Sequence, residues 1–99
     1  MIDLRNITGF DRDAGNRRKN DKHDVTTAEA EHIFFNKPLL MLQDHKHSIH
    51  ELHLHALGQT DGSRLLHITF TLRDSANTIR VISARDMHRK ERKIYENTA

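Results

Sequence analysis

Residues 51–73 read Glu51-Leu52-His53-Leu54-His55-Ala56-Leu57-Gly58-Gln59-Thr60-Asp61-Gly62-Ser63-Arg64-Leu65-Leu66-His67-Ile68-Thr69-Phe70-Thr71-Leu72-Arg73, and their pattern decides the fold. Two alternating runs flank a stretch of turn residues. In 51–58, Leu52, Leu54 and Ala56 share one face, while Glu51, His53 and His55 share the other. In 65–73, Leu66, Ile68, Phe70 and Leu72 point inward, and His67, Thr69, Thr71 and Arg73 point outward. Thr60-Asp61-Gly62-Ser63 is a hairpin loop in which Gly62 can take positive φ. A hairpin centred on Asp61 sets His55 opposite His67. One sheet face is therefore packed and the other polar.

Working outward, 39–43 is a short apolar run of strand length, and 78–84 is a β-branched run reached through the turn residues Asp74-Ser75-Ala76-Asn77. Short turns between consecutive strands imply an antiparallel meander. Upstream, Thr26 is an N-cap with Glu29 as its capping-box partner, and Val25 and Ala30 occupy hydrophobic-staple positions. They predict a helix over 27–35 that carries Ala30, Ile33 and Phe34 on one face and ends at Asn36 and Pro38. A final helix is expected from Ala84, with Ser83 and Asp86 in capping-box spacing and Met87, Ile94 and Tyr95 toward the sheet. A short strand over 5–10 precedes a polar segment, 11–24, which is a short solvent-facing helix if it is helical at all. The expected order is β-α-α-β-β-β-β-α. This describes one α+β domain over 1–99, with an antiparallel sheet of four to five strands, two N-terminal helices and one C-terminal helix.

Composition narrows the function classes. Ninety-nine residues with 35% apolar content support one modest core. No run approaches the roughly 18 apolar residues of a membrane helix, so a soluble, cytoplasmic protein without a membrane role is expected. The absence of Cys excludes disulfides, thiolate metal sites and thiol chemistry. Charge is uneven: the net is +1 over 1–25, −2 over 26–79 and +3 over 80–99. Arg80, Arg85, Arg89, Lys90, Arg92 and Lys93 make the last segment a candidate surface for phosphates or an acidic partner, although such a run also suits a solvated helix face.

Nine His invite a metal reading, since His45, His47, His50, His53 and His55 fall within eleven residues. Zinc sites need three or four ligands with carboxylate or thiolate support, and no HExxH pattern is present, so no metal and no other cofactor is expected. Metal-free RNA cleavage makes better use of these residue types. It needs a base for the ribose 2′-OH, an acid for the leaving 5′-oxygen and cations for the phosphorane. His53, His55 and His67 are candidate acids or bases, and Arg80 and Arg85 could fork onto phosphate oxygens. The competing reading is a solvated sheet face, with Arg80 and Arg85 holding the last helix through Glu91 or Asp86.

Ile82-Ser83-Ala84-Arg85-Asp86-Met87, followed by Arg89-Lys90-Glu91-Arg92 and Tyr95-Glu96, is similar to the C-terminal signature of BrnT-type toxins. Ala56-Leu57-Gly58 with Thr60, Arg64 and Leu66 resembles that family's central hairpin. Asn16-Arg17-Arg18-Lys19, Val25-Thr26, Glu29-Ala30-Glu31 and Phe34-Phe35-Asn36-Lys37-Pro38 resemble its N-terminal half. The resemblance covers roughly 10–96 and implies a RelE-like fold and a type II toxin that cleaves RNA without metal and inhibits translation. It implies a BrnA-like ribbon-helix-helix antitoxin as partner, in a 2:2 heterotetramer that contacts operator DNA only through the antitoxin. By this resemblance Arg64, Arg80 and Arg85 are catalytic, with His23 as a candidate proton shuttle beside His53, which the strand pattern itself suggests. Lys19 or Lys22, His55, His67, Glu51, Tyr95 and Arg89 bind substrate or support the site. Where the family usually has Arg five residues before the hairpin Gly, this chain has His53, which weakens phosphate binding or supplies a proton-transfer group. The alternative is a catalytically weak module that binds its antitoxin and regulates the operon.

Overall fold

A computed structural model describes residues 7–11, 25–44, 53–73 and 78–98, without the side chains of Asp11, Gln43 and Asp44. The elements are β1 (Gly9–Asp11), α1 (Thr27–His32), β2 (Leu40–Asp44), β3 (His53–Gln59), β4 (Leu65–Arg73), β5 (Thr78–Asp86) and α2 (Arg89–Thr98). The expected first helix and the histidines His45, His47 and His50 lie outside the described residues, as do Lys19, Lys22, His23 and Glu51. Among the described residues there are two helices, one on each side of the meander in sequence.

The chain is α+β, built on one five-stranded sheet of order β1-β5-β4-β3-β2. β2 to β5 form the expected antiparallel meander. The sheet as a whole is mixed rather than antiparallel, because β1 pairs with β5 in parallel, Phe10 opposite Ile79. The meander leaves β5 as an edge, and β1 covers it while Phe10 packs against Phe34 and Phe35, ring centroids 5.8 and 6.0 Å away. Direction in a three-residue strand is set by that tertiary anchor and leaves no trace in local pattern.

α1 starts as its sequence requires. Thr26 Oγ1 accepts from Glu29 N–H at 3.1 Å, and Thr26 N–H donates to Glu29 Oε1 at 3.1 Å. The helix ends at His32, and tighter bonds, Phe34 N–H to Glu31 O and Phe35 N–H to His32 O, carry the turn to 35. Val25, Ala30 and Ile33 pack on Leu54, Ala56, Leu66, Ile68, Phe70, Ile79, Val81 and Ala84 to form the main core. Each fully buried Leu, Ile or Phe there contributes roughly 1.5–3 kcal/mol.

Three expectations are corrected. The hairpin loop centres on Gly62, not Asp61: Gln59 pairs with Leu65, and Thr60 N–H donates to Arg64 O at 2.9 Å. Ser63, not Gly62, takes the left-handed conformation, with φ 67°. The last helix starts at Arg89, because 84–86 remain in β5, and it packs Tyr95 with Met87 and Leu57 into a second small core while Ile94 stays exposed.

The two cores lie on opposite faces, since Leu57 and Ala56 alternate. Gly58 sits on the α1 face, where a Cβ would lie 2.9 Å from Ile33 Cβ. Gly58→Ala is therefore expected to destabilise the fold by about 1–3 kcal/mol through overpacking, measured as a lower urea midpoint at unchanged m-value.

Candidate functional site

The face opposite α1 is ordered by strand register into three rows. Nearest α2 are Leu40, Leu57, His67 and Arg85; next come Leu42, His55, Thr69 and Ser83. The third row holds His53, Thr71 and Arg80, with His53 one position beyond the Leu54–Phe70 pair and Thr71 opposite Arg80. Arg85 and Arg80 thus flank the central row, Arg85 two residues (roughly 7 Å) from Ser83 along β5 and Arg80 three residues from it.

That placement depends on an irregularity. Arg80 and Arg85 are five residues apart, so a regular strand puts them on opposite faces. Between Thr69–Ser83 and Phe70–Val81 the register shifts, and Ile82 is the extra residue on β5. The bulge changes which parity faces inward: Ile79 and Val81 are buried before it, Ala84 after it. Both arginines consequently emerge beside the imidazoles.

His55 faces Thr69, not His67, across the β3–β4 pair. The imidazoles still meet as diagonal neighbours, stacked with centroids 4.9 Å apart and planes at 29°. Thr69 Oγ1 lies 3.1 Å from His55 Nδ1 and fixes the ring. His67, expected on a solvated face, is 9% exposed, and its Nδ1 is buried without a hydrogen-bond partner among the described residues. Burial pushes its pKa down to about 4, helped by Arg85, His55 and His88 and opposed by Glu91. At neutral pH His67 is an uncharged imidazole.

Arg85 forks onto Glu91, Nη1 to Oε1 at 2.8 Å and Nη2 to Oε2 at 3.0 Å. Glu91 also accepts from His88 N–H at 2.8 Å, which caps α2, and its Oε2 lies 4.0 Å from His67 Nε2. Burial raises the Glu91 pKa, but hydrogen bonds from Arg85 and His88 and the charges of His67 and Arg85 outweigh it and hold the group at about 2. Glu91 was foreseen only as an anchor for arginine. Its spacing of three residues from His88 was the available signal for its capping role.

Arg64 does not join this face. It donates to Asp86 at 2.8 and 3.1 Å and to Glu29 at 3.2 and 3.3 Å, on the α1 side of the sheet. Hydrogen bonds to Asp86 and Glu29 raise its pKa above the ordinary arginine value despite the opposing effect of burial. Its place is a brace between the hairpin, α1 and the end of β5. Tyr95 is 3% exposed and donates its hydroxyl to Pro38 O at 2.6 Å, so its ring supports the fold beneath α2. Arg89 is exposed in the first turn of α2.

The model of the family described as the ribonuclease toxin BrnT of type II toxin–antitoxin systems matches residues 13–91. The chain belongs to this family. BrnT is a ribonuclease toxin, and a type II system implies a protein antitoxin as its partner. Comparison with the curated proteins gives no match. Among the described residues of this BrnT chain, no helix is long and apolar enough to cross a membrane.

The buried imidazole and its carboxylate neighbour predict acid sensitivity. The His67 pKa is 6.5 unfolded and about 4 folded, so the unfolded state binds more protons between these values and stability falls as pH drops through that window. Glu91, 4.5 unfolded and about 2 folded, adds a loss below pH 4.5. Urea titrations should show roughly 2–3 kcal/mol lost between pH 6.5 and 4. In His67→Leu that upper part of the profile should flatten while the lower part remains.

Proposed function

We propose that the chain cleaves RNA at the row between Arg80 and Arg85 without a metal ion. The observation that supports this reading most is the bulge at Ile82, which brings two guanidiniums to the face that holds His53, His55 and His67. A phosphodiester seated between the arginines gains their charge as the phosphorane forms, when its oxygens carry the most negative charge. The ribose 2′-oxygen attacks phosphorus and loses its proton to a base. The bond from phosphorus to the 5′-oxygen breaks, and that oxygen takes a proton from an acid. The products are a 2′,3′-cyclic phosphate and a 5′-hydroxyl.

His53 is the proton-transfer group of this proposal within the described residues: it is half-buried and in line with Arg80. His67, uncharged and stacked on His55, adds no third cation to the row it shares with Arg85. His23, Lys19, Lys22 and Glu51 stay in the proposal as the family resemblance assigns them, and Arg89 is a contact for the flanking RNA backbone. For Arg85 the substrate phosphate has to take the place of the Glu91 carboxylate. The same fork also favours a second reading, a catalytically weak module that binds its antitoxin and regulates the operon, with Arg85 serving as a fastener for α2. In either reading the antitoxin is a BrnA-like ribbon-helix-helix protein in a 2:2 assembly, which reaches operator DNA through the antitoxin. In the first, free toxin acts in the cytoplasm and arrests translation.

Purified protein in EDTA separates the readings. Cleavage of RNA to cyclic-phosphate ends supports the first, and no cleavage supports the second. Arg80→Ala and Arg85→Ala are expected to lower the cleavage rate by about 10²–10³-fold each. Arg64→Ala is expected to lower thermal stability first. If both Arg80→Ala and Arg85→Ala cleave at the parental rate, the proposed site is wrong.

A further inference from the structure

Resting on the ribonuclease reading, we propose that Leu42 and His55 form a shelf for one base of single-stranded RNA, next to the phosphate seat of Arg80 and Arg85. Three observations converge on it. Leu42 is 60% exposed, one of three large apolar side chains in that state among the described residues. It is not on an arbitrary surface: it pairs with His55 in register and lies in the central row of the polar face, on the end strand of the described sheet. His55 is held on two sides, by the stacked His67 ring and by Thr69 Oγ1. A fixed imidazole beside an exposed isobutyl group offers a flat, partly apolar surface.

The dimensions select the occupant. The arginines are on β5 and the shelf is on β3 and β2, two to three strand spacings away, about 10–14 Å. One nucleotide spans that distance from its phosphate to the outer edge of its base. Charge selects it as well, because an apolar shelf facing two guanidiniums across a row of hydroxyls, Thr69 and Ser83, matches a molecule that is anionic at one end and a neutral ring at the other. Duplex RNA keeps its bases stacked inside, so only a single strand can present one here. Stacking is largely indifferent to base identity, so the shelf positions the chain without reading its sequence.

The test uses the full chain and a short 2′-O-methyl oligoadenylate, which lacks the nucleophilic hydroxyl and is not cut, with binding followed by fluorescence anisotropy. Replacing the base at the bound position with an abasic residue is expected to weaken binding about tenfold. Leu42→Ser should weaken the intact oligomer by a similar factor and leave the abasic one unchanged. Leu42→Tyr, which keeps a flat surface, should restore base-dependent binding. Because Leu42 is exposed, thermal melts of these variants should overlay. Equal affinity for intact and abasic oligomers, or unchanged binding by Leu42→Ser, overturns the shelf. Loss of cleavage in Arg80→Ala alongside unchanged binding by Leu42→Ser overturns the shelf alone. Base-dependent binding without cleavage of any RNA overturns the ribonuclease reading alone.

Discussion

One extra residue in β5 sets the arrangement of the site. A pleated strand sends alternate side chains to opposite faces, so a fixed spacing in sequence dictates a face. Ile82 interrupts the count. Before it, Ile79 and Val81 fill the core with Arg80 outside; after it, Ala84 fills the core with Arg85 outside. Without the interruption, one guanidinium would have to be buried against Ile33 and Phe70 or the core residues would have to turn outward. Burying an unpaired charge costs far more than a lost ladder bond. The bulge is the arrangement in which both the apolar and the cationic residues are satisfied.

The two carboxylate–arginine systems at the C-terminal end of β5, on opposite faces of the sheet, serve different purposes. Arg64 is held by Glu29 and Asp86 together, and Glu29 also closes the α1 capping box. Helix start, hairpin and strand end are thus tied at one point on the core side. Among the described residues Arg85 is held by one carboxylate, Glu91, with a further bond from Nη1 to Asp86 O at 3.1 Å, and Glu91 caps α2 through His88. A single exchangeable carboxylate leaves Arg85 open to competition from another anion of similar geometry, whereas Arg64 would have to leave two.

α2 divides the second sheet face. Tyr95, Met87 and Leu57 fill one end, and the polar rows occupy the rest. The helix therefore stabilises the sheet and walls off the site, with His67 trapped at the boundary as a neutral ring. A half-covered face explains why His67 is buried although its strand alternates cleanly. Cover came from an element twenty-odd residues further along, not from the strand itself.

Local chemistry in the sequence was enough for the capping box at Thr26 and Glu29, the core residues Leu54, Leu66, Ile68 and Phe70, and the meander, because caps and period-2 alternation are short-range effects. The histidine-bearing face was legible for the same reason, as alternation places His53, His55 and His67 together, whereas Arg85 was expected in the last helix and not on the sheet. The parallel pairing of β1, the hairpin centre at Gly62, the continuation of β5 to Asp86 and the inward turn of His67 were decided by tertiary structure. Each depends on which distant surface covers which edge or face. So does the partition of the arginines: Arg64, Arg80 and Arg85 are alike in sequence, and only the carboxylates and the bulge that surround them in space put one on the α1 side and two on the opposite, histidine-bearing face.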